Sequence, residues 1–261
     1  PRRNVPVVAT LFAGDTRDEG AVDGGRIGAD IVFPQAGLVS VPDSLDRPLD
    51  NHGINGTGTL NILEAARRND SRVVAASSAA VYGHPESIPV AEDAPKTPLS
   101  PYGVEKLALD QYTRLYHREY GLSTVSPRYF NIYGPRQQGG SYSGVITTFL
   151  EQATNGGPIT VEGDGKQTRD FVYIDDVVRA NRLAATTDAT GHAFNVGTGK
   201  SVTIRQLAES VRRAVGADVD VIHVDPRPGD IRHSQADIDR AREQLGYEPS
   251  VALSTGLDRL V

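Results

Sequence analysis

Apolar residues fall along this chain in short runs, separated by longer stretches with one polar face. The run VATLFAGD (8–15) predicts a strand ending at a polar turn. ADIVFPQAG (29–37) predicts a second, with Pro34 near its carboxyl end, where a proline is tolerated. GTLNILEAARRN (58–69) is amphipathic at helical period, and RVVAASSAAVYG (72–83) is a strand running into small polar residues. Over 102–120, Val104, Leu107, Ala108, Leu115 and Tyr116 recur at helical period, and Gly121 is a natural closing residue. STVSPRYFNIYG (123–134) predicts the next strand and loop.

Strands alternating with helices argue an α/β fold with a doubly wound parallel sheet. Unbroken runs such as DIVF suit a sheet covered on both faces. The texture changes after about residue 135. GPRQQGGSYSG is a polar, glycine-rich loop, and GVITTFLEQATNGG is helical. PITVEGDGKQTRDFVYIDDVV reads as strand, turn, strand and helix start. SVTIRQLAESVRRAVG is a helix with Ser/Thr at its start; IDRAREQLGYEP is another, closed by Gly246 and Pro249.

The totals exclude several functions. Among 261 residues, 27 Lys+Arg face 33 Asp+Glu, for a net charge of -6 and no basic tract, so nucleic acid and anionic membranes are poor partners. No apolar run approaches the ~20 residues of a membrane span. There is no cysteine, which rules out disulfides and thiol catalysis and fits a cytoplasmic protein. The six histidines lack ligand spacing, so no metal is assigned. Asp175-Asp176 reads as a helix-start carboxylate pair. The chain has no methionine and opens at Pro1, so it reads as lacking an upstream portion.

The chemistry centres on SPYGVEK (100–106). Tyr102 and Lys106 stand at i and i+4, on one helix face. In doubly wound sheets, ligands bind beyond the carboxyl ends of strands. Ser77-Ser78 is predicted at such an end, as are Asp15, Ala36-Gly37 and Tyr129-Phe130-Asn131. The hydroxyls of Ser78 and Tyr102 and the Lys106 ammonium therefore converge on one cleft. Such a set suits proton transfer at an alcohol or carbonyl. A free tyrosine, with a pKa of about 10, is a poor base, and a nearby ammonium or cationic nicotinamide lowers that value.

In this order and spacing, GDTRD, QAGLVSV, GTLNILEAA, SSAAVYG, SPYGVEK, RYFNIYGPRQ, GDGKQTRDFVYIDD, FNVGTG and RPGD resemble the extended short-chain dehydrogenases/reductases, in their nucleotide-sugar epimerase branch. The resemblance spans essentially the whole chain. It implies a Rossmann-like sheet, NAD as cofactor, a UDP-sugar as substrate and epimerisation at C4 through a 4-keto sugar. It also implies a cytoplasmic homodimer serving carbohydrate, and particularly galactose, metabolism. The implied domains are a dinucleotide-binding part over 1–135, joined by 170–198, and a smaller α/β substrate lobe over 136–169 and 199–261.

By the same resemblance, Tyr102 is the base, Lys106 binds the nicotinamide ribose and depresses the tyrosine pKa, and Ser78 orients or shuttles the proton. Asp15 and Thr16 resemble adenine contacts. Ala36, Gly37 and Asn55 resemble cofactor wall, and Phe130 a nicotinamide-side residue. Asn131, Arg169, Arg227 and Asp230 resemble a clamp on the nucleotide diphosphate. Ser234, seven residues past Arg227, resembles the hexose pocket wall, where a small residue implies room for a 2-N-acetyl group. Plainer roles stand beside these. Asp15 or Ser234 could cap a helix, Asn131 could be a turn residue, Arg169 could pair with Asp170 at the surface, and Arg227 could be a loop charge.

Three departures qualify the resemblance. Ala79 and Ala80 stand where dehydratases of the branch carry acidic residues, which favours epimerase over dehydratase. Pro34 replaces a frequent histidine. The G-x-x-G-x-x-G turn that would cradle a pyrophosphate is not in the chain, and neither Gly24-Gly25 nor Gly139-Gly140 meets its context. The sheet is therefore expected to lack its first β-α-β unit, and the chain alone to fold poorly and not retain NAD. Other nucleotide-sugar chemistries on the same scaffold (UDP-glucuronate epimerase, decarboxylase, reductase) and a non-catalytic nucleotide-binding descendant remain open alternatives.

Overall fold

Ile31–Val32, Arg72–Val74, Thr124–Tyr129 and His192–Val196 lie side by side in that order, all parallel. Ser77–Ser78 continues the line of Arg72–Val74 and pairs with Arg128 and Tyr129 at the carboxyl end of the central strand. The computed structural model describes residues 4–25, 28–137, 144–227 and 229–261. Residues 138–143 of the glycine-rich loop, including Gly139-Gly140, and Pro228 of RPGD lie outside the described residues. All six residues of Thr124–Tyr129 are buried, as a strand covered on both faces must be.

Smaller pairings follow along the chain. Asn131–Tyr133 runs parallel to Phe171–Tyr173, and Ile159–Glu162 parallel to Val221–Val224. Thr168–Arg169 meets Val202–Thr203 antiparallel. One core packs on the central sheet and includes Val74, Val125, Val172, Phe194 and Val196; Ala236, Ile238, Ala241, Leu245 and Tyr247 join it from near the carboxyl end. A second core gathers Ile146, Phe149, Ile159, Val161, Leu207, Val211 and Leu257.

The helices form where period and caps agree. Ser100 caps Pro101–Tyr120 by accepting from the Gly103 amide, Pro101 opens it, and Gly121 closes it in the left-handed region. Thr203 and Gln206 form a capping box on Ile204–Val215. Gly58–Arg68 and Val145–Thr154 also match their predicted spans closely, and Ile174–Thr186 begins where a helix start was predicted.

Two expectations are corrected. Residues 8–15 form no strand: Val8, Leu11 and Phe12 are exposed, and among the described residues no strand pairs with the outer edge of Ile31–Val32. A strand is stabilised by its neighbour's ladder, and this run has none. Second, the periodic apolar residues of the long helix mark its buried face only in part, through Tyr116 and, less fully, Leu107. Val104 and Leu115 are 50% and 37% exposed, while Gly103, Lys106, Leu109, Asp110, Thr113 and Tyr116 point inward. The inner face is partly polar because it lies against hydrogen-bonding groups of the sheet.

Candidate active site

Three clefts lie around the carboxyl end of the sheet. The first, of about 780 Å³, is lined by Ser78, Tyr102, Phe130, Asn131, Arg169 and Ser234 together with small and apolar residues. The second, of about 1930 Å³, takes in Asn131, Arg169, Arg227 and Asp230. Val39, Val41, Asn131 and Arg169 line both, so the two are continuous. The third is small and brings together Thr16, Ala36, Asn55 and Lys106.

Local structure explains the convergence. Ser78 ends its strand in extended backbone and caps a short 3-10 turn, its Oγ accepting from the Ala80 amide at 3.1 Å. Gly83 leaves that turn at φ +62°, and a Cβ there would lie 1.9 Å from the Thr97 carbonyl oxygen, so only glycine fits. Tyr102 occupies the first turn of the long helix and lines the same cleft as Ser78, whose hydroxyl is near enough to favour its ionised form. Lys106 follows one turn later. Its Nζ donates to the Ala76 carbonyl at 2.7 Å and stands 5.7 Å from the centre of the Tyr102 ring.

Burial governs the electrostatics. It raises the Tyr102 pKa above the usual phenol value, and the nearby Ser78 hydroxyl opposes that rise. Burial also lowers the Lys106 pKa to about 8, opposed by the charge of Asp110. Tyr102 is therefore a neutral hydroxyl near pH 7 here. It becomes a base only when further positive charge is brought beside it.

The remaining predicted residues divide clearly. Arg169 donates to Asp230 Oδ1 at 2.5 Å and to the Thr168 carbonyl, so it does not pair with Asp170. Arg227 donates to Glu162 Oε1 at 2.9 Å in an exposed pair. Asn131 opens a strand rather than a turn; its Nδ2 donates to the Asp170 carbonyl at 3.0 Å, which fixes the side chain at the junction of the two large clefts. Ser234 sits well before the next helix, which begins only at Asp239, so it caps nothing. Its amide donates to the Thr168 carbonyl at 3.2 Å.

On the cofactor side, Gly37 passes so close to Asn55 that a Cβ would meet Asn55 Oδ1 at 2.8 Å and Lys106 Nζ at 3.9 Å. Asn55 accepts from the Leu38 amide and donates to the Leu38 carbonyl and Asn51 Oδ1. Its polar atoms are thus spent on holding the wall. Asp15 lines none of the three clefts. Its carboxylate grips Arg17 through both oxygens, and Asp18, not Asp15, accepts from the Ala21 amide of the following helix. The glycine-lined wall beside Thr16, Ala36 and Lys106 fits the ribose and nicotinamide end of a dinucleotide: it allows close approach and offers one cation.

Sequence reasoning missed a buried network behind the site. Arg128 Nε donates to Asp110 Oδ2 at 2.6 Å, and its Nη1 donates to the Tyr82 hydroxyl and the Glu92 carbonyl. Tyr82 lines the first cleft and donates to Asn195 Oδ1 at 2.6 Å. The available signal was an arginine inside an otherwise uncharged strand, TVSPRY, which must find a partner once buried. Asp170 was missed too. It is fully buried and accepts from the Thr198 amide and hydroxyl and from the amides of Gly199 and Ala236.

Among the described residues no helix is long and apolar enough to cross a membrane. Residues 1–197 match the model of the NAD dependent epimerase/dehydratase family. The chain is 39% identical over 236 residues to the UDP-glucose 4-epimerase of Mycolicibacterium smegmatis, covering 89% of this chain and 75% of that one. It is 34% identical over 233 residues to the UDP-glucuronate 4-epimerase of Thermodesulfobacterium geofontis, covering 88% and 71%. Its fold superposes with a TM-score of 0.95, at 34% identity, on the crystal structure of UDP-glucose 4-epimerase with UDP-glucose from Thermotoga maritima, covering 98% of this chain and 84% of that one. On this extended match in sequence and fold, the chain belongs to the NAD dependent epimerase/dehydratase family.

Proposed function

We propose that this chain epimerises a UDP-hexose at C4, with NAD as a resident cofactor. The observation that carries the reading is that Ser78 and Tyr102 line one cleft that runs on, past Asn131 and Arg169, into a larger one holding Arg227. A sugar at the hydroxyl pair and a nucleoside diphosphate in the larger cleft would lie end to end. Arginine suits a diphosphate because its planar fork is always charged.

NAD held beside this cleft would supply a reversible hydride acceptor for the sugar C4. Tyr102 takes the proton of the 4-hydroxyl and returns it. Ser78 holds that oxygen while it is a carbonyl. Lys106 supplies the positive charge that makes the phenolate accessible. Arg169 and Arg227 hold the diphosphate end, so the keto sugar turns about its tether and accepts hydride on its other face. Asp15, Thr16, Ala36, Gly37, Asn55 and Phe130 complete the cofactor side. The lobes assigned to cofactor (1–135 with 170–198) and substrate (136–169 with 199–261), the cytoplasmic location and the homodimer belong to the same reading.

Two features favour this chemistry over its relatives' others. The cleft wall carries Ala79 and Ala80, which leave no acid or base there for eliminating water. The one charged side chain in the first cleft's described lining, Arg169, is given to the diphosphate in this reading, so a uronate carboxylate would find no further cation there. Incubating the intact protein with a panel of UDP-sugars tests this. UDP-glucose and UDP-galactose should interconvert without net consumption of NAD or NADPH. NADPH oxidation, or carbon dioxide release from UDP-glucuronate, would replace the proposal with a reductase or a decarboxylase.

Ser234 gives a narrower test. A small residue on this wall leaves room for a 2-N-acetyl group, so the N-acetylated pair of UDP-sugars should also interconvert. Ser234→Tyr fills that room. Overpacking costs roughly 1–3 kcal/mol, borne by the larger sugar, so kcat/KM should fall about 5- to 150-fold for the N-acetyl substrates and far less for the plain hexoses. Equal losses on both pairs would remove Ser234 as the gate.

A further inference from the structure

The long helix Pro101–Tyr120 meets the sheet through a polar seam. Lys106, Asp110 and Thr113 follow one another along it at i, i+4 and i+7, and all three are buried. Each has a fixed partner: Lys106 Nζ donates to the Ala76 carbonyl, Asp110 accepts from Arg128 at 2.6 Å, and Thr113 Oγ1 lies 2.7 Å from Ser126 Oγ. Thr124 Oγ1 donates back to the Thr113 carbonyl at 2.8 Å. Apolar faces can slide past one another at small cost, but a hydrogen-bonded seam has one axial register.

Asp110 stands at the middle of this seam. Its salt bridge with Arg128 is 3% and 1% exposed at its two ends, as buried as an ion pair can be. Through Arg128 it reaches Tyr82 on the cleft wall. Its other oxygen, Oδ1, and the Ser77 hydroxyl are each buried without a hydrogen-bond partner of normal geometry, yet Ser77 is near enough to favour the charged carboxylate, and Ser77 adjoins Ser78. One carboxylate thus touches the strand end that carries Ser78 and the helix that carries Tyr102 and Lys106.

We propose that Asp110, held by Arg128, is a positioning residue for Ser78, Tyr102 and Lys106: it locks the long helix in the register that sets Tyr102 against Ser78, and it is the counter-charge to Lys106. The groups facing Lys106 can be named. From its own helix come Tyr102 and Asp110; from the strand end, the Ala76 carbonyl and Ser77; from the opposite wall, the uncharged Gly37 and Asn55. Arg128 stands behind Asp110, and Glu105 is turned to His52, whose Nδ1 is 2.8 Å away. Asp110 is therefore the carboxylate that opposes the effect of burial on Lys106.

The inference rests on the proposed epimerase chemistry only for its turnover readout. Asp110→Leu combined with Arg128→Met removes both charges at similar volume. Such replacements of buried ion pairs are often neutral for stability, so melting should change little. The kcat should nevertheless fall at least tenfold with little change in KM. The ultraviolet titration of Tyr102 in the NAD-loaded protein, with Tyr102→Phe as the blank, should move up by about one unit, because a weakened Lys106 charge no longer favours the phenolate. Asp110→Glu keeps the charge and should keep the wild-type titration.

A folded double variant with titration and kcat within twofold of wild type would reduce the pair to scaffolding and overturn the proposal. Should the double variant not fold, Asp110→Asn against Asp110→Glu makes the same comparison, and identical Tyr102 titrations in the two would overturn it equally. The titration needs no sugar. A wild-type protein with no epimerase turnover would therefore count against the proposed function, while the titration still decides the role of Asp110.

Discussion

Replacing Tyr102 with phenylalanine should lower kcat for the UDP-hexose reaction by about 10²–10⁴-fold, the usual range for a lost general acid–base group. The change removes one oxygen and keeps the ring. The ring packs beneath the Lys106 ammonium and lines the sugar cleft, so binding should survive with KM changed little. The loss should fall on the step in which the 4-hydroxyl gives up its proton. Single-turnover reduction of bound NAD by UDP-hexose isolates that step from product release. Near-normal turnover in the phenylalanine variant would move the proton transfer to another group, with Ser78 the first to examine.

Asp170→Ala should destabilise the protein by about 3–5 kcal/mol, since buried donors left without acceptors cost 1–3 kcal/mol each and water can recover part of that. Four donors lose their acceptor at once: the Thr198 amide at 2.8 Å, its hydroxyl at 2.6 Å, the Gly199 amide at 3.0 Å and the Ala236 amide at 3.2 Å. These lie on two separate segments, 198–199 and 236, which the carboxylate pins to the strand ends around Arg169 and Asn131. Burial raises the Asp170 pKa while these hydrogen bonds oppose the rise, so the carboxylate and its donors depend on one another. Urea unfolding followed by circular dichroism measures the loss. A cost below 1 kcal/mol would mean that the two segments hold their positions without it. Because Asn131 hangs from the Asp170 carbonyl and Ser234 lies two residues from Ala236, KM for the sugar nucleotide should rise in whatever fraction still folds.

The reactive set was legible in the sequence because its logic is local. Tyr102 and Lys106 are one helical turn apart, and Ser78 ends a strand by a change of texture that can be read directly. The long helix was legible for the same reason: Ser100, Pro101 and Gly121 mark its ends. What escaped was non-local. Residues 8–15 have the composition of a strand, but strand formation depends on a neighbour that the run itself does not encode. In the long helix, the apolar period of Val104 and Leu115 pointed outward, because the inner face answers to Ala76, Arg128 and Ser126 from distant parts of the chain. Ser234 before a helical pattern resembled a cap, yet the helix begins only at Asp239, because the segment before it is hydrogen-bonded to Thr168 and to Asp170. Asp110 and Arg128 were each visible as charges in buried-looking elements, and only the register of helix on strand showed them to be partners.

Among the described residues no strand pairs with the outer edge of Ile31–Val32, and this has a consequence for handling this chain. Ile31 and Phe33 are exposed there, and Val7, Val8, Leu11 and Phe12 are exposed in the segment before it. A strand edge flanked by apolar side chains offers a template on which another polypeptide can add a strand. The concentration at which the protein is stored should therefore influence what is measured. Light scattering on a dilution series would detect self-association through this edge. A lysine in place of Ile31, which sets a charge on the rim without touching any of the three clefts, should keep the molecules apart.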